Sequence, residues 1–197
     1  MQRSLIALAL ATVFSLSAHA QNAATETQRD VNQQERIEQG LKSGQLSTKE
    51  AASLEHQEQR IDRTEARDMK DGKLSTAEKA QIQREQNHVS NDIYQDKHNA
   101  VTGNPNSASS KRMQADVQRN VNQQQRINQG VRSGELTNKE AGSLERGQAH
   151  VDRAEARAGA NGHVNAAEQA RIQGKENRQS ARIHNKKHND AVRTTTP

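Results

Sequence analysis

Apolar residues are sparse along this chain, and they fall on thin stripes. Leu54 and Ile61, then Ile82, Val89 and Ile93, stand four or seven residues apart, which places each set on one face of an α-helix. Each stripe follows the same punctuation, Gly-x-aliphatic-Ser-x-x-Glu. Ser47 with Glu50 and Ser75 with Glu78 are capping boxes, and Thr137 with Glu140 and Asn165 with Glu168 have the same form. Gly44, Gly72, Gly134 and Gly162 stand where a preceding helix must end in a left-handed turn. These signals predict helices over about 26–41, 47–69, 75–98, 114–131, 137–158 and 165–190, with no proline inside any of them. Short glycine-containing connections favour antiparallel neighbours.

The stretch from Gln28 to Ala100 aligns without a gap on the stretch from Gln118 onward, at a constant offset of 90, with about half of the positions identical. RDVNQQERIEQG matches RNVNQQQRINQG, and IDRTEAR matches VDRAEAR. A fainter echo at a spacing of 28 relates Gly44, Leu46, Ser47, Glu50 and Leu54 to Gly72, Leu74, Ser75, Glu78 and Ile82. Between the copies, AVTGNPNSASS reads as a linker. The expected divisions are a signal peptide over 1–20, a first copy over 21–99, a linker over 100–113, a second copy over 114–190 and a disordered tail over 191–197. Each copy is expected to form its own small hairpin or three-helix bundle.

The first twenty residues have the layout of a cleavable export signal. Arg3 supplies the positive start, Leu5 to Leu16 an apolar run, and Ala18-His19-Ala20 a small-x-small cleavage site after Ala20. A periplasmic or secreted bacterial location follows, with no transmembrane anchor, because a spanning helix needs about 20 apolar residues. Cysteine is absent, which removes thiol catalysis, thiolate metal sites and disulfides. Tyr94 is the sole aromatic beyond the signal. The net charge of +5 comes from interleaved acids and bases, the pattern of a solvated surface. So little apolar material leaves marginal stability and partial disorder open.

The stretch DMKDGKLSTAEKAQI, from Asp68 to Ile82, resembles the second half of an EF-hand loop. Asp71-Gly72 matches the acidic turn, Leu74 the pairing aliphatic, and Ser75 and Glu78 the ninth and twelfth positions. The resemblance implies Ca²⁺ ligation by Asp71, Ser75 and Glu78. Positions one and three of that loop fall on Arg67 and Met69, which supply no oxygen ligand. The turns at Ser43-Gly44, Ser133-Gly134 and Asn161-Gly162 share the shape. The motifs LSTKE, LSTAE and LTNKE also resemble, more weakly, the Leu-Thr-x-x-Gln motifs of small helical periplasmic stress chaperones. The fold class expected is all-α, a tandem duplication of a small three-helix unit with EF-hand-like turns, elongated or partly disordered arrangements staying open.

Two further constellations carry chemistry. His184 and His188 stand one turn apart on the last helix and are placed to bind Zn²⁺ or Cu²⁺ weakly. Arg171, Lys175, Arg178, Arg182 and Lys186 form a basic stripe suited to anionic lipid or lipopolysaccharide. Nucleic acid is disfavoured, because no aromatic side chain interleaves with the stripe. There is no nucleophile motif, no phosphate loop and no evident pair of carboxylates in an apolar setting, so an enzyme is not expected. The reading that results is an exported, non-enzymatic helical repeat protein binding a protein or envelope component. Its alternatives are a divalent-metal binder, through the loops or the C-terminal histidines, and a chaperone-like or anionic-surface binder.

Overall fold

The computed structural model describes residues 18–189, and the burial of side chains from residue 23 onward. Most of the expected signal segment and the tail beyond residue 189 lie outside the described residues. The described chain is all-α. Its helices are α1 (Ala18–Ser43), α2 (Thr48–Asp68), α3 (Thr76–Lys97), α4 (Ala108–Ser133), α5 (Asn138–Gly159) and α6 (Ala166–Lys187), with a 3-10 turn at Met69–Asp71. None of these helices is long and apolar enough to cross a membrane.

The boundaries follow the punctuation. At all four capping boxes the side chain of Ser47, Ser75, Thr137 or Asn165 accepts from the backbone three residues on, and the glutamate there reaches back. Gly44 and Gly134 take φ of 78° and 82°, and the next turn closes with Leu46 N donating to Gly40 O and Leu136 N to Gly130 O, both at 2.9 Å. These bonds, between residues six apart, satisfy orphan carbonyls at the helix ends. Leu46 and Leu136 thereby fold back, fully buried, into the core. Two expected helix starts move, that of α1 from about residue 26 to Ala18 and that of α4 from about residue 114 to Ala108. Residues 108–113 are helical and belong to α4, because the Ser107 hydroxyl accepts from Ser110 N at 3.1 Å and caps the helix earlier.

The two halves do not form separate bundles. The closest helix pairs are α2 with α5 and α1 with α4, each made across the halves, while α3 lies against α1 and α2, and α6 against α4 and α5. Small residues allow the central pair to approach. A Cβ on Gly159 would stand 2.6 Å from Ala52 Cβ, and one on Gly142 would stand 2.8 Å from Met69 Cβ. The start of α2 therefore meets the end of α5, and the pair is antiparallel. In α1 and α4 the order is likewise reversed, since Lys42 donates to Gln118 and Asn128 to Gln28. Large aliphatics such as Ile37, Leu54, Ile61, Ile82 and Ile93, with Ile127, Leu144, Ile172 and Ile183, join one continuous apolar cluster.

The close approach is testable. Gly159→Val should cost about 1–3 kcal/mol by overpacking the α2–α5 contact. Gly174→Ala, where the nearest atom to a new Cβ is 3.7 Å away, should instead gain about 0.5–1 kcal/mol of helix propensity. Urea denaturation of both variants checks the opposite signs.

Candidate metal centre

Helix α2 is segregated by charge. Glu55, Glu58, Asp62 and Glu65, at steps of three, four and three, share its inner face with Leu54 and Ile61, and all four are buried. Helix α5 repeats the arrangement with Glu145, Gln148, Asp152 and Glu155. Because the two helices run antiparallel, Glu55 of α2 meets Asp152 and Glu155 of α5, and Glu145 of α5 meets Asp62 and Glu65 of α2. In each triad one oxygen from every carboxylate lies within 4.8 Å of the others.

Helices α1 and α4 roof these triads with amides. Gln34 donates to Glu55 Oε2 and Gln124 to Glu145 Oε2, both at 3.0 Å. Asn120 donates to Glu155 Oε2 at 2.7 Å and to Asp152 Oδ1 at 3.3 Å. At the matching place in the first half stands Asp30, which accepts from Gln86 Nε2 at 2.7 Å. Oxygens remain over. Glu55 Oε1, Glu155 Oε1, Asp62 Oδ2, Glu65 Oε2 and Glu145 Oε1 accept from no N–H or hydroxyl donor, and neither do the amide oxygens of Gln34, Asn120, Gln124 and Gln148.

No base offsets this charge from within. The buried ionisable residues among those described are all Asp and Glu, with no Lys, Arg or His. Peripheral acids find cations, as Glu176 does with Arg119 Nε at 3.1 Å. The triad carboxylates make no ion pair with any described residue. Burial pushes Glu55 up to about 7 and Glu145 up to about 8. Burial, and then the neighbouring carboxylates, hold Asp62, Glu65, Asp152 and Glu155 well above the carboxylate range. Glu58 is raised for the same two reasons, with Asp30, Glu55 and Asp152 nearby. Carboxyls face one another within hydrogen-bonding range at Glu55–Glu155, Asp62–Asp152 and Asp30–Glu65, which requires a shared proton in each pair.

The residues singled out from the sequence lie elsewhere. Asp71 Oδ1 accepts from Lys73 N at 2.8 Å, and Glu78 Oε2 accepts from Ser75 N at 2.7 Å. Asp71, Ser75 and Glu78 thus sit together at the start of α3, serving backbone donors in the turn and cap. The rings of His184 and His188 stand 4.3 Å apart on the surface of α6, with His188 Nδ1 2.7 Å from His184 O. Arg171, Arg178 and Arg182 are exposed on α6 and Lys175 and Lys186 half-buried. Arg182 donates to Ser143 O at 3.0 Å, and Lys186 Nζ is 3.9 Å from Glu140 Oε1.

The triads themselves are a correction to the sequence reading, which finds no paired carboxylates in an apolar setting. They were legible as acids on the apolar face, at the same steps in both copies. What the chain alone did not give was the antiparallel α2–α5 contact that brings the two faces together. No protein family, curated protein or solved structure matches this chain.

The protonation state has a stability consequence. Between the unfolded carboxylate range near pH 4.5 and the folded values of about 7 to 8, the folded chain binds more protons than the unfolded one. In cation-free buffer, stability is therefore fully present below about pH 4 and should fall as pH rises to 8. The slope is about 1.4 kcal/mol per pH unit for each proton held only in the fold. Urea midpoints at pH 5, 6.5 and 8 measure it.

Proposed function

We propose that this is an exported, non-enzymatic helical protein that holds hard divalent cations between α2 and α5. The observation that carries the reading is the pair of buried three-carboxylate clusters with unpartnered oxygens and no buried base. A cation replaces the shared protons and supplies the missing positive charge in one step. One site would use Glu55, Asp152 and Glu155, with the oxygens of Gln34 and Asn120. The other would use Glu145, Asp62 and Glu65, with Asp30 and Gln124. The donors are all oxygen, which suits Ca²⁺, Mn²⁺ or Mg²⁺ rather than Zn²⁺ or Cu²⁺. Mg²⁺ gives up its water reluctantly, so a dry core favours Ca²⁺ or Mn²⁺.

A groove of about 670 Å³ between α1 and α4 is lined by Gln28, Glu35, Gln125 and Asn128, with Arg132 at its edge. The α2–α5 face opposite is lined by arginine and repels cations.

Calorimetric titration of the processed chain with Ca²⁺ and Mn²⁺ at pH 7.5 should show two sites and proton release, read as heat that varies with the buffer. At a hundredfold excess over Kd, binding adds about 2.7 kcal/mol, or roughly 5–10 °C in Tm. Asp62→Asn with Asp152→Asn should abolish the gain while raising ion-free stability at pH 8, because two buried carboxyls no longer need protons. Asp71→Asn with Glu78→Gln, in the turn, should leave it intact. Absence of heat and of any Tm change at millimolar ion would overturn the proposal. Loss of binding only in the turn variant would move the site to the loop.

A further inference from the structure

The outer face of α2 carries the opposite charge from its inner face. Its exposed residues are Lys49, Ser53, His56, Arg60, Arg63 and Arg67, at steps of four, three, four, three and four. The matching row on α5 includes Lys139, Arg146, His150, Arg153 and Arg157. Between the rows lies a concave cavity of about 610 Å³ with no acidic residue in its lining. Lys49, His56, Arg60, Arg63, Arg153 and Arg157 line it, with the buried Ala52 and Ala156 between them. A second hollow of about 350 Å³, between α5 and α6, shares Arg153 and Arg157 and adds His150, Arg171 and Lys175, with Glu168 the one acid.

Arg60, Arg153 and Arg157 make no ion pair with any described residue. Burial, then Lys175, Arg63, Arg182 and Arg153, depress the pKa of His150, the signature of cations converging from α2, α5 and α6. Two of the five residues in the stripe on α6, Arg171 and Lys175, thereby form an arm of a larger basic hollow. Its symmetry mate on α3 is not basic, since Glu85 and Asp92 stand at the equivalents of Lys175 and Arg182.

We propose that this cavity binds a compact oligophosphate, several phosphate groups in sequence on a flexible backbone. Three features choose that ligand. Guanidinium groups on facing helices match phosphate oxygens two at a time. The hollow is concave, which lets the arginines of both rows close on a compact polyanion from two sides, a shape that a flat bilayer does not have. Tyr94, the one Phe, Tyr or Trp among the described residues, is on α3, so the cavity has no large aromatic platform for a run of nucleobases. This site is independent of the carboxylate core, and it stands or falls without it.

The test uses the processed full-length chain and inorganic tripolyphosphate, in divalent-free buffer so that a core-bound cation plays no part. Calorimetry at 50 mM NaCl should give a saturable complex that weakens steeply as salt rises to 200 mM. Arg60→Gln with Arg153→Gln and Arg157→Gln should weaken it at least tenfold, with the far-ultraviolet spectrum unchanged. Arg171→Gln with Lys175→Gln, at the rim, should weaken it less and serves as the second variant should the first misfold. No binding of tripolyphosphate, binding equal in the wild type and the triple variant, or binding confined to phosphatidylglycerol vesicles would each overturn the proposal.

Discussion

The constraint on which this molecule turns is the cost of taking carboxylates out of water. An ionised carboxylate buried without a partner is so unfavourable that it takes up a proton or a cation instead. Here Glu55, Asp62, Glu65, Glu145, Asp152 and Glu155 are at most 2 % exposed, and no buried base answers them. A chain with ample aliphatic residues would fill that space with them. This one sets only Leu54, Ile61, Leu144 and Val151 beside the buried acids, amides and alanines of α2 and α5. The seam is therefore where stability is sacrificed, and the place to look for what the protein binds.

The rest of the fold makes that seam possible. Capping boxes and left-handed glycines set six helix boundaries without help from a large core, since each cap contributes on the order of 1 kcal/mol. Small residues then let α2 and α5 come close enough for the acids of one helix to reach those of the other. The amides of Gln34, Gln124 and Asn120 hold particular oxygens in place and leave others free. The basic rows on the outer faces of the same two helices offset the interior charge at longer range. In this way one pair of helices presents oxygen ligands inward and guanidinium groups outward.

Much of this was legible in the chain, and the gaps have physical reasons. The caps at Ser47, Ser75, Thr137 and Asn165 depend on contacts within four residues, so their positions read directly from sequence. The start of α4 did not, because the serine-rich stretch before it looks like linker until Ser107 is seen to cap it. The acids at Glu55 and Asp62 lay in plain view beside Leu54 and Ile61. Their significance depended on which helix covers them, a non-local fact that periodicity does not carry. The basic residues of α6 read from sequence as a row on one helix, whereas the larger hollow needs α2 and α5 beside it. Asp71 and Glu78, which suggested a cation loop, are occupied with backbone donors of the turn and cap.

The most direct test of the central claim is a pH titration of the aspartate and glutamate side-chain carboxyl carbons by nuclear magnetic resonance, in divalent-free solution. If the seam is dry and its acids share protons, Glu55 titrates at about 7 and Glu145 at about 8, with Asp62 and Asp152 well above the ordinary carboxylate range near pH 4. Titration of all of them near pH 4 would contradict the account, because carboxyls that ionise that readily are in contact with water.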